Sequence, residues 1–339
     1  MGKSLKFDYG LTAPSGLRKV EGAKGDFATR GLATLTRSLV GALALSLSQA
    51  VGVSGDVWAA TPQTSPAVEK KAKVVSPEKA PDILRRVVVI GASVSDGYEA
   101  YITDENGRPI LSCGQQKLSD LLDLVIVGEH RQVTNRADLF LGFDPVKNGE
   151  GMIQEAMRKR PTLVIAIDFL FWFAAGEKGA NLEDGLRLLE CFKCPVVIGN
   201  IPNLDQSKSY QRSEEIAAFY DKASVFNERI GEWVQSHPNV MIVDLAELGR
   251  ANETGGAIKV GDSELTLDPK MPLFQKDGLH LTAEGVATLA SFAMAKVVQA
   301  RPEIPSSGLL TDPKKVIEEM RRVCKEKMAK MPTIGERKK

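Results

Sequence analysis

Four short apolar runs, separated by helix-length stretches, limit the possible folds of this chain more than any other feature. They are residues 86–91 (RVVVIG), 162–168 (TLVIAID), 194–200 (CPVVIGN) and 239–244 (NVMIVD). A strand with one wet face alternates apolar and polar residues, whereas these are β-branched and apolar throughout, as strands covered on both faces must be. A weaker fifth run is 131–135 (RQVTN), and helical patterns occupy 117–124, 149–159, 181–192, 213–236 and 283–300. Strands and helices in alternation predict a parallel sheet with helices on both sides. In such sheets ligands lie beyond the carboxyl ends of the strands, where strand order reverses. Functional residues are therefore expected just after the apolar runs.

The ends of the chain differ from this middle. Residues 1–60 carry net +3 and residues 301–339 net +5, which leaves 61–300 at −7 of an overall +1. A balanced total lacks the broad positive field of a sequence-independent nucleic-acid binder, so no nucleic-acid partner is expected. The basic stretch from Met1 to Arg37 leads into an apolar run at 39–53, with Val57 and Ala59 suiting a signal-peptidase site. That run contains Ser, Gly and Gln and falls short of the ~20 apolar residues of a spanning helix. We expect 1–60 to be a targeting segment cleaved near residue 59 during export. Residues 61–82, with four prolines and four lysines, read as an extended tether. The folded domain is expected over 83–300. Beyond it lies a basic tail, 301–339, whose apolar residues Val316, Met320, Val323, Cys324, Met328 and Met331 recur at helical spacing. Such an amphipathic helix usually packs on its own domain, and contact with an anionic surface is the alternative.

After the first strong run the sequence is Gly91-Ala92-Ser93-Val94-Ser95-Asp96-Gly97-Tyr98. A serine at a glycine-containing turn from a buried strand into a helix has its hydroxyl exposed and its N–H placed to hold an oxyanion. Ser93 is therefore a candidate nucleophile, with Ser95 and Asp96 available as helix caps. Near the other end, Asp277-Gly278-Leu279-His280 precedes a helix. An aspartate three residues before a histidine can accept from ring Nδ1–H and leave Nε2 as a base. The structural alternative is a surface turn with Thr282 as an N-cap. The other histidines, His130 and His237, fall in loop-like segments without an evident carboxylate partner.

Together these blocks resemble the SGNH, or GDSL-like, hydrolase superfamily. In that family an early Gly-Asp-Ser block supplies the nucleophile and a late Asp-x-x-His block supplies the other triad members. The resemblance spans roughly 84–300. It implies a three-layer α/β/α sandwich with a mostly parallel, flavodoxin-like five-stranded sheet, and an ester-directed hydrolase with Ser93, His280 and Asp277 as its catalytic residues. That chemistry needs no cofactor, and with three histidines and no ligand spacing around Asp168 or the Cys191–Cys194 pair no metal is expected. The literal match Gly261-Asp262-Ser263 follows no buried run and reads as a coincidence within a loop.

Two departures bear on activity. Ala92 stands where the family has aspartate, and the block expected to read Gly-x-Asn-Asp is Ile167-Asp168-Phe169-Leu170. The side-chain amide of the oxyanion hole is thus missing, and losing one such donor costs about 10²–10³ in rate. Asn135, Asn200 and a backbone N–H at Gly142 are the candidate substitutes, Gly91 shapes the turn, and Asp168 could orient a loop. The aromatic run from Phe169 through Phe171, Trp172 and Phe173 could line an acyl or alcohol pocket or lie in the core. Cys113, Cys191, Cys194 and Cys324 allow three disulfide pairings after export. The expectation is an exported serine esterase acting on a small-molecule, lipid or polysaccharide ester. A binding module on the same scaffold, or an acyltransferase using the same Ser and His, are the alternatives.

Overall fold

A computed structural model of the chain describes residues 80–176, 179–202, 222–254, 256–260, 263–266 and 272–331. The segments read as leader and tether lie outside the described residues except for 80–82, as do residues 213–221 of the fourth expected helix. Five parallel strands form the main sheet: β1 (Val87–Val89), β2 (Thr134–Asn135), β3 (Leu163–Ala166), β4 (Val196–Gly199) and β5 (Val240–Val243). Their order is β2-β1-β3-β4-β5, the flavodoxin-like arrangement. Strand order reverses at β1, beside β3, so the ends of β1 and β3 flank the expected ligand crevice.

The strands are apolar throughout because each feeds two cores. Successive side chains leave a strand on opposite faces. Val88, Ile90, Val164, Ala166, Val196 and Ile198 enter one core, and Val87, Val89, Leu163, Ile165, Val197 and Val243 enter the other. The first core is completed by α2 (Pro145–Arg158), α3 (Phe169–Ala175), α4 (Leu182–Leu189) and α5 (Ala223–Gln235). The second is completed by α1 (Leu118–Val125), α7 (Ala283–Ala300) and α8 (Pro313–Ala329). Between β5 and α7 lie α6 (Leu245–Thr254) and an antiparallel pair, β6 (Ala257–Val260) with β7 (Ser263–Thr266). The fold is therefore a three-layer α/β/α sandwich. The stretch read as a loop around Ser263 is in part this two-stranded ribbon, with Ile258 fully buried. Gly261 and Asp262 lie outside the described residues.

Helix starts follow their capping chemistry. The second helix begins four residues earlier than its apolar period indicates, at Pro145, because the Asp144 side chain accepts from Lys147 N–H and proline suits the first turn. Asn181 and Asp184 form a reciprocal capping box on α4. Thr282 caps α7 through Gly285 N–H, and Asp312 with Pro313 starts α8.

Helix α7 is buried almost all round, which requires cover on both sides. The C-terminal helix supplies the outer cover. Val316, Ile317, Met320 and Cys324 of α8 are buried against the α1–α7 side. A disulfide joins Cys324 to Cys113, with Cα atoms 5.3 Å apart, and Arg321 pairs at 2.9 Å with the buried carboxylate of Glu284 in the first turn of α7. Cys191 and Cys194 are free thiols. The described part of the tail is thus a helix seated on the domain. Among the described residues no helix is long and apolar enough to cross a membrane.

Candidate active site

The turn after β1 is built by a carboxylate from the neighbouring strand. Asp168, just past the end of β3, is 95% buried and accepts four hydrogen bonds from this turn. Its Oδ1 takes Ala92 N–H (3.1 Å) and the Ser95 hydroxyl (2.6 Å), and its Oδ2 takes Val94 N–H (2.9 Å) and Ser95 N–H (3.3 Å). Burial pushes the Asp168 carboxyl above the usual carboxylate range, and the four donors pull it part of the way back. Gly91, at φ +146°, makes this approach possible, because a Cβ there would collide with Asp168 Oδ1.

The arrangement corrects the expectation of a helix starting at Ser93. Residues 93–99 form consecutive turns, with Asp96 N–H bonded to Ala92 O and Tyr98 N–H to Ser93 O. Asp168 takes the N–H groups that a helix N-terminus would offer to an anion. Neither Ser95 nor Asp96 is a helix cap: Ser95 donates to Asp168, and Asp96 accepts from Lys117 Nζ (2.7 Å) and Asn135 Nδ2 (2.8 Å). The Ser93 N–H is the one in this run that Asp168 does not take, and no acceptor holds it among the described residues.

The histidine segment is built locally. Asp277 Oδ2 accepts from His280 Nδ1 at 2.6 Å, and Asp277 Oδ1 accepts the N–H groups of Leu279 and His280, each at 3.0 Å. Burial alone would raise the Asp277 carboxyl, but the His280 ring and these two amides outweigh it and hold the group below its ordinary value. With Nδ1 engaged, Nε2 is the ring nitrogen left for chemistry. Pairing with a carboxylate does not set His280 apart. His130 Nε2 meets Asp123 Oδ1 at 3.0 Å, which raises its pKa, and His237 lies 3.8 Å from Glu190. What distinguishes His280 is its neighbourhood.

Two residues that the sequence reading passed over join the two segments. The Tyr98 ring lies 4.6 Å from the His280 ring, centroid to centroid, on the same turn whose N–H reaches Ser93 O. Gln275 Nε2 donates to Tyr98 O (2.7 Å) and Leu281 O (2.8 Å), while its own N–H bonds to His280 O (2.8 Å). Gln275 is therefore a clasp between the serine turn and the histidine segment, 177 residues apart from Tyr98 in sequence. No short motif announces a contact of that range. No hydrogen bond joins the Ser93 hydroxyl to His280; in ligand-free sites such bonds are often long.

A narrow pocket, about 540 Å³ counted with its mouth, opens beside Ser93. Leu279 and Leu281, the neighbours of His280, line it together with Ser93, Asp168, Phe171 and Trp172. The aromatic run is divided by helix geometry. Phe171 and Trp172 face the pocket, whereas Phe169 and Phe173, one turn apart, meet as a tilted pair at 5.0 Å inside the core. Phe169 is thus a core residue and not a pocket wall. Gly142 is packed under the Trp172 ring, where a Cβ would clash. The two asparagines considered as oxyanion donors hold structure together elsewhere. Asn135 bonds Asp96 and Ala137 N–H, and Asn200 bonds Asp244 (2.8 Å) and Ala246 N–H (3.1 Å) at the start of α6. Neither lines the pocket. Among the described residues no group of three or more His, Cys, Asp or Glu side chains is assembled for a metal ion.

No protein-family model matches the chain, and no curated protein matches it in sequence. Among solved structures, a gut microbial diltiazem-metabolizing enzyme is similar at 12% identity and a TM-score of 0.39, over 67% of this chain and 47% of its own. The chain thus spans about half the length of that enzyme. A protein of Bacteroides fragilis described as an acylhydrolase is similar at 16% identity and a TM-score of 0.42, over 66% of this chain and 92% of its own. Neither likeness bears on what the site does.

Proposed function

We propose that the chain is a serine hydrolase of the SGNH type that cleaves a carboxylic ester. The observation that carries this reading is the His280–Asp277 pair, 2.6 Å apart, packed on the turn that bears Ser93 at the wall of an apolar pocket. Ser93 Oγ attacks the ester carbonyl and its proton passes to His280 Nε2, while Asp277 holds the ring and stabilises the imidazolium. Collapse of the tetrahedral intermediate returns that proton to the leaving alcohol and leaves an acyl-serine. Water, deprotonated by His280, then releases the acid and restores Ser93. The Ser93 N–H, left open by Asp168, is the oxyanion donor of the turn.

Export fits the reading of residues 1–60 as a leader, and the Cys113–Cys324 disulfide favours an oxidising compartment. A second reading, a binding module on this scaffold, is favoured by one observation: Ala92, Val94 and Ser95 N–H are all committed to Asp168, and both candidate asparagine amides are engaged elsewhere. Hydrolysis of p-nitrophenyl esters by the purified full chain, compared with Ser93→Ala and His280→Ala, separates the two. An enzyme loses turnover in both variants. A background rate identical in all three proteins points to the module.

A further inference from the structure

The lining of the pocket beside Ser93 limits what can be seated there. Ten of the twelve described residues that line it are apolar, among them Trp172, Leu245, Leu248, Phe274 and Leu289. Among the described residues, the members that carry a hydroxyl or a charge are Ser93 and Asp168. Asp168 offers nothing to a ligand, because both of its oxygens already accept two hydrogen bonds each from the turn. A hydroxyl or amide entering this space would lose its water and find, among the described lining residues, only Ser93 and the Trp172 indole N–H, which penalises sugar-like groups with several hydroxyls by the cost of unpaired buried polar atoms. The inner wall is deep in the protein: Leu248 of α6 and Leu289, two turns into α7, are at most 1% exposed and belong to the core on that side of the sheet. The outer wall, with Phe171, Trp172 and Leu245, is partly open.

From this lining we infer that the part of the substrate seated beside Ser93 is an unbranched hydrocarbon acyl chain of several carbons, running inward between α6 and α7, and that an acetyl group is a poor substrate. The inference rests on the hydrolase reading for its chemistry but not for the pocket. Each methylene buried in such a space raises the transition-state affinity about fourfold.

The test uses the full chain with p-nitrophenyl esters from acetyl to dodecanoyl. We expect kcat/KM to climb about fourfold per methylene and then level or fall when the pocket is full. Leu289→Phe should move the optimum to a shorter chain; Leu245→Phe, at the partly open wall, serves the same purpose if the buried variant does not fold. A flat profile, or an optimum at acetyl, overturns the inference while leaving the hydrolase reading in place. In parallel, binding of N-methyl acyl amides of the same lengths is followed by tryptophan fluorescence, with Trp172→Phe to localise the signal. Affinity that rises with length in a protein that turns over no ester sustains the pocket and overturns the hydrolase. Affinity independent of length overturns the pocket.

Discussion

The two halves of the site are held in opposite ways. The histidine half is local: Asp277 fixes His280 three residues away with a side-chain and a backbone hydrogen bond. The serine half is remote: its turn is shaped by Asp168, 73 to 76 residues later in the chain, just past the end of the adjacent strand of the sheet. The two carboxylates also sit in contrasting electrostatic settings. Asp277 is partly exposed and faces a partner that takes positive charge, so its acidity is increased. Asp168 is sealed among neutral donors, and burial decreases its acidity. In the proposed mechanism one carboxylate supports proton transfer, whereas the other holds backbone in place.

The largest expected effect lies on the histidine half. Asp277→Asn keeps the shape of the segment but loses the charge that selects the ring tautomer, and should lower kcat by roughly 10³–10⁴ with little change in unfolding midpoint. Steady-state kinetics beside urea denaturation would check this, and a loss of stability as large as the loss of rate would erase the contrast between the halves. Asp168→Ala should do the reverse in kind. It strands three backbone N–H groups and the Ser95 hydroxyl, and should cost about 3 kcal/mol of folding stability. Urea midpoints would show it, with any activity loss following the altered turn.

Next in size is the clasp. Gln275→Leu leaves the carbonyls of Tyr98 and Leu281 without their donor, for about 1–2 kcal/mol. Because it loosens one half against the other, it should lower kcat about tenfold by misplacing His280. An unchanged kcat would mean that the halves are positioned independently.

The smallest effect is a matter of sign. Asp277 has a lowered pKa, so its contribution to stability is complete above the ordinary carboxylate value of about 3.9 and is lost as pH falls through its lower folded value. Asp168 has a raised pKa, so the folded state holds its proton more tightly, and its contribution is lost as pH rises from about 3.9 through the higher folded value. Below about pH 3.9 Asp277→Asn should flatten the acid loss of stability, and above it Asp168→Asn should flatten the opposing trend. Urea unfolding at stepped pH would show whether the two variants move the profile in opposite directions.

The same contrast decides what was legible in the sequence. The strands were readable because burial on two faces leaves continuous apolar runs, and the Asp277–His280 pair was readable because its spacing is its geometry. Helix α7 was readable in extent, but its all-round burial depends on α8 covering it through Val316, Ile317 and Met320. The turn at Ser93 was misjudged as a helix start because its shape depends on an acceptor that no local pattern reveals. For Phe169 the sequence leaves pocket and core both open, because a run of aromatics carries no sign of which face of its helix turns inward until the sheet beneath is known. Tyr98 and Gln275 escaped notice because a clasp between distant loops has no spacing rule.

The most direct test of the account is labelling of the full chain with a fluorophosphonate, which reacts with activated serines, followed by mass-spectrometric mapping beside Ser93→Ala and His280→Ala. The account predicts one modified peptide, carrying Ser93, that disappears in both variants. Labelling of Ser93 that persists without His280, or no labelling of folded protein, would contradict it.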